Sequence, residues 1–239
     1  MTRRRSAGQI PLALALQDKP GFESFVVGNN VEALHNIKAI AKGVKSPSLY
    51  IWGQGGCGVS HLLQAACMLA HNQRRAVAYI PLTEQVNHDP ELLENLDNMD
   101  MVCIDDMDLA SGKPHWEQAI LHLYNRLREN KHSLLIGAHT GPQALAIQLP
   151  DLKSRMSWDL VYHLQVLDDT DKIEVLRRRA DARAFELPRE VAEYIVNRSR
   201  RGLRDLLSVL DELEQATLAE QRKLTIPFVK KFLVKNPDS

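Results

Sequence analysis

Apolar residues follow two rhythms along the chain. Short unbroken runs, SLYIWG (48–53), AVAYIPL (76–82), MVCIDD (101–106), SLLIGAH (133–139) and VYHLQVL (161–167), have the length and continuity of strands covered on both faces. Between them, apolar positions recur at helical spacing. In PHWEQAILHLYNRLRENK, Trp116, Ile120, Leu123, Tyr124 and Leu127 share one side, and Pro114 suits a first helical turn. Strand and helix in alternation predict an α/β fold. Its parallel five-stranded sheet carries helices on both faces and holds ligands beyond the carboxyl ends of the strands.

From Asp168 onward the strand rhythm stops. DDTDKIEVLRRRADARAFEL opens on acidic residues at a helix start, and LPREVAEYIVNRS carries Pro188 and Glu190 in its first turn. Leu203, Leu206, Leu207, Leu210 and Leu213 form one stripe, and TIPFVKKFLV closes the pattern. The expected organisation is a tail over 1–20, an α/β base over 21–167 and a small helical domain over 168–239. A chain of 239 residues that is 44% hydrophobic can build one larger core and a small second one.

Charge and cysteine content narrow the function classes. Lys+Arg and Asp+Glu balance at 30 each, which argues against a protein whose main task is coating nucleic acid but leaves room for a local basic patch. Cys57, Cys67 and Cys103 form no C-x-x-C pair and are odd in number, as expected in a reducing cytoplasm. The nine histidines show neither H-E-x-x-H nor a Cys/His cluster, so no protein-ligated transition metal is expected. No run approaches the roughly 18 apolar residues of a membrane span. The opening MTRRRSAGQIPLALALQDKP has a basic start and an apolar stretch. It is interrupted by Pro11, however, and followed by Gln17-Asp18-Lys19-Pro20 without a small-residue cleavage site. It reads as a tail rather than a secretory signal.

The candidate chemistry lies at GQGGCGVSH (53–61), between the first strand and an apolar-periodic helix. Gly53, Gly58 and Ser60 match a phosphate-binding loop, G-x-x-x-x-G-K-[ST], with Val59 where the lysine belongs. Alone, the pattern also describes a tight glycine turn. Between strand and helix, the amides of Gly55, Gly56, Cys57, Gly58, Val59, Ser60 and His61 become candidate phosphate ligands that need no side chain. Asp105 ends an apolar strand and, with Ser60, is a candidate for Mg²⁺. Asp106 is a candidate to orient a water, although paired aspartates also simply end strands. Loss of the lysine ammonium removes about 2–4 kcal/mol of transition-state stabilisation, or ~10²–10³ in rate. The expectation is therefore binding of a nucleoside diphosphate, ADP foremost, with negligible hydrolysis.

Several segments in order, FESFVVGNN, IDDMDLASGKPHWEQAILHLYNRL, LPDLKSRMSWDLVYHL, RRGLRDLLSVLDEL and RKLTIPFVKKFL, resemble the AAA+ domain of the DnaA family of bacterial replication initiators. They resemble most closely its branch of shorter regulatory homologues. The resemblance spans essentially the whole chain and implies an AAA+ P-loop NTPase-like base with a helical lid. It also implies a cytoplasmic negative regulator that binds the sliding clamp and stimulates hydrolysis of ATP held by the initiator. Val26, Val27 and Asn29 match the segment lining the adenine pocket. Arg155 matches the arginine finger pointed into a neighbouring subunit's nucleotide, and Arg204 the sensor arginine of the lid. His139 stands where the family usually has a polar or acidic sensor, so its role stays open.

Gln9-Ile10-Pro11-Leu12-Ala13-Leu14 resembles a sliding-clamp-binding peptide: a glutamine followed by spaced aliphatics. Packing on its own domain is the other reading. Each buried Leu contributes ~1.5–3 kcal/mol, less the ordering of the peptide, so the segment alone should bind at about micromolar strength. Arg3, Arg4 and Arg5 just upstream read as a solvated charge run or as contacts to DNA threaded through the clamp. The expected partners are the initiator's AAA+ domain, the DNA-loaded clamp and a second copy of the chain. Two rival classes remain: a DNA-binding initiator or helicase loader, and an autonomous P-loop ATPase or nucleotide kinase.

Overall fold

A computed structural model describes residues 21–44, 48–198, 202–220 and 222–235, apart from the side chains of Arg204, Val234 and Lys235. Gln9, Ile10, Leu12 and Leu14, and the three arginines before them, lie outside the described residues. The order is α1 (Val31–Ala41), β1 (Leu49–Trp52), α2 (Val59–Asn72), β2 (Val77–Pro81), α3 (Leu82–Gln85), β3 (Met101–Asp105), α4 (Pro114–Glu129), β4 (Ser133–Ala138), α5 (Pro150–Trp158) and β5 (Leu160–His163). Four helices follow: α6 (Asp169–Ala182), α7 (Arg189–Arg198), α8 (Leu203–Glu220) and α9 (Ile226–Lys235).

All five strands run parallel in the order β2-β3-β4-β1-β5. The two strands at the centre of the apolar pattern, β3 and β4, are buried at every residue, because helices cover both faces of the sheet. Leu62, Leu63, Ala66 and Ile37 on α1 and α2 fill one side. Trp116, Ile120, Leu123, Tyr124 and Leu127 of α4 fill the other, as their spacing predicts. Two strands depart from expectation. β2, at one edge of the sheet, is half-buried at every residue except Ile80. The run 161–167 forms only Leu160–His163, and its residues alternate between exposed and half-buried. β5 is an edge strand with a neighbour on one side only, and Leu164 and Leu167 enter the cores after it ends. Because β1 and β3 flank β4, the loops leaving those three strands converge at one edge of the sheet, where parallel α/β folds bind ligands.

The helices from α6 to α9 form a helical lid around Leu176, Leu187, Ile195, Leu206, Leu210 and Val229. Arg183, the residue that ends α6, bridges to α8, donating to Asp211 Oδ1 at 2.7 Å and to Glu214 Oε2 at 2.9 Å. Asp168 caps α6 by accepting from the Asp171 amide at 2.8 Å. Lid and base meet at Arg178, whose Nη1 reaches the carbonyls of Glu23 and Phe25, both at 3.4 Å.

Glu117 is 1% exposed, which is unusual for a carboxylate in a first helical turn. It accepts from the amides of Gly112 (2.8 Å), Gln148 (2.9 Å) and Leu149 (2.9 Å), and so ties the start of α4 to the chain entering α5. Glu117→Gln places an NH₂ against at least one of these donors. The expected cost is about 1–3 kcal/mol of stability, read as a lowered midpoint in thermal denaturation; an unchanged midpoint would show the clasp is dispensable.

Candidate nucleotide site and arginine cluster

The loop after β1 is shaped by close approaches. A Cβ on Gly53 would lie 2.6 Å from Cys57 Sγ and 2.9 Å from the Leu164 carbonyl oxygen, so the loop folds tightly against the chain leaving β5. Gly58 begins α2 with φ +99°, and a Cβ there would sit 2.7 Å from Phe25 Cε2. Only glycine fits both the left-handed backbone and the adjoining ring. No side chain caps α2, and among the described residues the amides of Gly58, Ser60 and His61 meet no protein acceptor, while the Val59 amide faces the Cys57 thiol. Unpaired N–H groups at a helix N-terminus favour an anion such as a phosphate.

Phe25 brings the adenine-segment candidates onto this loop. It is buried against Gly58, and its ring lies 5.9 Å from that of His61. Val26 is buried, Val27 half-buried and Asn29 exposed. Asn30, which sequence reasoning did not single out, is the fastener. Its Oδ1 accepts from the Gln165 amide at 2.8 Å, and its own amide donates to Val27 O at 2.8 Å. His61 turns its ring away from the loop, with Nε2 2.9 Å from the Gly21 carbonyl. Burial holds its pKa below the ordinary value, with Gly21 opposing and Arg179 reinforcing the shift. The ring is therefore neutral at pH 7 and Nε2 carries the hydrogen that Gly21 accepts. Only its backbone amide faces the site.

Val59 is half-buried and fills the crowded space between the strand ends. A Cβ on Gly137 would meet Val59 Cγ1, Leu63 Cδ1 and Asp105 Oδ1, each at 2.7 Å. The Val59 methyl and the Asp105 carboxylate thus border the same narrow space beside Gly137. Asp105, 2% exposed, is satisfied without a cation: Oδ2 accepts from the Tyr79 hydroxyl at 2.6 Å and Oδ1 from the Asp106 amide at 3.0 Å. Gln64 Nε2 donates onward to the Tyr79 hydroxyl at 3.1 Å. Burial and the adjacent Asp105 push the Tyr79 phenol well above its usual range, so the proton stays on it. Ser60 is exposed at the loop.

Asp106 has φ +58° and starts a short 3₁₀ turn, Met107–Ala110. Asp108, another residue the motif reading passed over, accepts from the His139 amide at 2.6 Å and from the Thr140 hydroxyl at 2.8 Å. Burial opposes its ionisation, but these hydrogen bonds outweigh it and hold the carboxyl below its usual pKa. His139 Nδ1 lies 3.3 Å from Asp108 Oδ2 and 3.8 Å from Asp106 Oδ1, so its ring is tethered to this acidic pair.

Arg155 sits apart from these groups, half-buried on α5. Its guanidinium carbon is 4.8 Å from the centroid of the Trp158 ring and 5.9 Å from that of Tyr124. Among the described residues it has no carboxylate partner. Arg128 flanks the same tryptophan at 5.8 Å and donates to the Tyr124 hydroxyl at 3.0 Å. Arg204 falls in the first turn of α8.

The family model of the bacterial DnaA ATPase domain matches residues 16–163, and that of the Hda lid domain matches residues 169–233. Domain III of the Thermotoga maritima replication initiation protein DnaA is similar over 93% of this chain and 98% of its own, at 24% identity and a TM-score of 0.81. AMPPCP-bound DnaA from Aquifex aeolicus is similar over 81% of this chain and 64% of its own, at 21% identity and TM-score 0.68. Thermotoga maritima RuvB shares the fold more distantly, at 17% identity and TM-score 0.65 over 86% of this chain and 68% of its own. Among the described residues no helix is long and apolar enough to cross a membrane, and no group of three or more metal-ligating side chains is assembled.

Proposed function

Because the chain belongs to the bacterial DnaA ATPase-domain family, as an Hda/DnaA-homologous AAA+ protein, we propose that it is a cytoplasmic negative regulator of replication initiation. It acts by supplying Arg155 in trans to ATP held by the initiator. The observation that carries this reading is the state of that guanidinium: a permanent cation resting on aromatic faces, with no carboxylate partner among the described residues. Its N–H fork remains available for phosphate oxygens, which it suits by geometry and charge.

The chain's own site binds and holds. The free amides of α2 and the Phe25-backed loop suit a diphosphate, ADP foremost, with Val26, Val27 and Asn29 near the base and Arg204 at the phosphates from the lid. Val59 brings no ammonium to a γ-phosphate, which favours retention over turnover. Mg²⁺ fits with a restricted donor set. The exposed Ser60 hydroxyl suits it directly, whereas Asp105, engaged on both oxygens, suits a metal-bound water. Bound there, the ion would offset phosphate charge. Gln9, Ile10, Leu12 and Leu14 tether the chain to the sliding clamp, concentrating it near initiators on the same DNA. A homodimer is a further expected assembly.

The test combines the full chain with ATP-loaded initiator and DNA-loaded clamp. Hydrolysis of the initiator's ATP should accelerate, while the isolated chain binds ADP in calorimetry and releases phosphate only at background. Rapid ATP turnover by the isolated chain would instead favour an autonomous ATPase. Tight sequence-specific duplex binding would favour a DNA-binding initiator.

A further inference from the structure

We propose that Trp158 is a positioning residue for the Arg155 guanidinium, acting on the reaction through that cation rather than through contact with the nucleotide. This rests on the trans-arginine reading above.

Trp158 is 64% exposed, whereas Trp116 is 3% exposed in the core. A single exposed apolar side chain is ordinary by itself; what distinguishes this one is the cation seated against its ring. Trp158 stands three residues after Arg155 on α5, the spacing that places two side chains on one helix face. The guanidinium carbon is 4.8 Å from its ring centroid, within the range of cation–π attraction, and tryptophan is the strongest such partner. Tyr124 forms the inner wall at 5.9 Å. That wall is fixed: the phenol is 1% exposed, donates to Asp159 Oδ2 at 3.0 Å and accepts from Arg128 Nη1 at 3.0 Å. Arg155 is thus confined between a buried ring and an exposed one.

The chemistry of the cradle explains its composition. A carboxylate would hold the arginine through the N–H edges that a phosphate needs, and would have to be displaced. An aromatic face holds the plane of the cation and leaves those edges open. The cradle therefore restricts the rotamers of a long side chain without neutralising it, and the open side at Trp158 admits a foreign triphosphate. Preorganisation of this kind raises the rate of the chemical step more than it strengthens association.

The experiment measures hydrolysis of initiator-bound ATP in the presence of DNA-loaded clamp, titrating the full-length chain to saturation. Trp158→Ala should lower the maximal stimulated rate roughly 3–30-fold, while the half-saturating concentration moves by less than about threefold. Trp158→Phe should recover most of the rate, and Trp158→Leu, apolar but without a π face, should not. An undiminished maximal rate for Trp158→Ala overturns the proposal. So does a loss expressed only in half-saturation, or a Leu variant as active as Phe. Should Trp158→Ala fail to fold, the Phe and Leu variants decide the matter by themselves. Arg155→Ala is run alongside: full stimulation there would sink the trans-arginine reading itself, whereas a failure confined to Trp158 sinks only this assignment.

Discussion

Arg155→Ala is expected to lower stimulated ATP hydrolysis by roughly 10³-fold or more, the scale at which trans-acting arginines operate in GTPases. The transferred phosphoryl group spreads negative charge over its equatorial oxygens, and a guanidinium placed there stabilises that charge in a site from which water is excluded. Alanine leaves no substitute nearby, because Arg128 is committed to the Tyr124 hydroxyl and to the Trp158 ring. Stability should fall by no more than about 0.5–2 kcal/mol, the worth of the ring contacts of this half-buried side chain. Arg155→Lys should recover little, because a point charge cannot reproduce the planar fork. The decisive readout is single-turnover hydrolysis by ATP-loaded initiator with DNA-loaded clamp. A variant that stimulates as well as the parent would refute the finger assignment, whatever its effect on clamp binding.

The second large effect belongs to Gly58→Val. A residue with a Cβ at φ +99° carries about 1–2 kcal/mol of backbone strain, and a β-branched one more. The new side chain also has to displace Phe25, whose ring would stand 2.7 Å from the Cβ and is itself 6% exposed. Neither partner has room to retreat, so the first turn of α2 must shift and its amides lose their convergence. The expected outcome is destabilisation by about 2–4 kcal/mol together with a loss of ADP affinity of roughly 100-fold or more, equivalent to about 2.7 kcal/mol. Calorimetric titration with ADP and thermal denaturation measure the two parts separately. Parental affinity in a folded Gly58→Val protein would mean that the nucleotide does not sit on these amides.

Much of this arrangement was legible in residue order. The unbroken apolar runs located β1 to β4, most sharply β3 and β4, which are buried at every residue, and the spacing of Trp116, Ile120, Leu123, Tyr124 and Leu127 identified the buried side of α4. The strand beginning at Leu160 was harder to delimit. An edge strand need not be continuously apolar, and Leu164 and Leu167 continue the apolar run into the next connection. The glycine loop was readable because its signal is local: a strand, six intervening residues and a helix.

Features built from distant partners left no such trace. Tyr79 meets Asp105 across 26 positions, Asp108 meets His139 across 31, and Asn30 meets Gln165 across 135. None of these pairs has a spacing that periodicity can detect. Val59 announced a missing ammonium, but that Asp105 finds a phenol and an amide in its place became visible only in three dimensions. Arg155 was one cation among thirty until family resemblance singled it out. Its aromatic cradle lay half in plain view, since Trp158 is three residues away, and half hidden, since Tyr124 comes from another helix.

The Phe25 ring fills the hollow that Gly58 leaves beside the nucleotide loop, while the carbonyl of the same residue faces Arg178 of α6. One residue is therefore pressed from two directions, by whatever occupies the loop and by whatever tilts the lid. Occupancy on one side becomes posture on the other, through a linkage a single phenyl group wide.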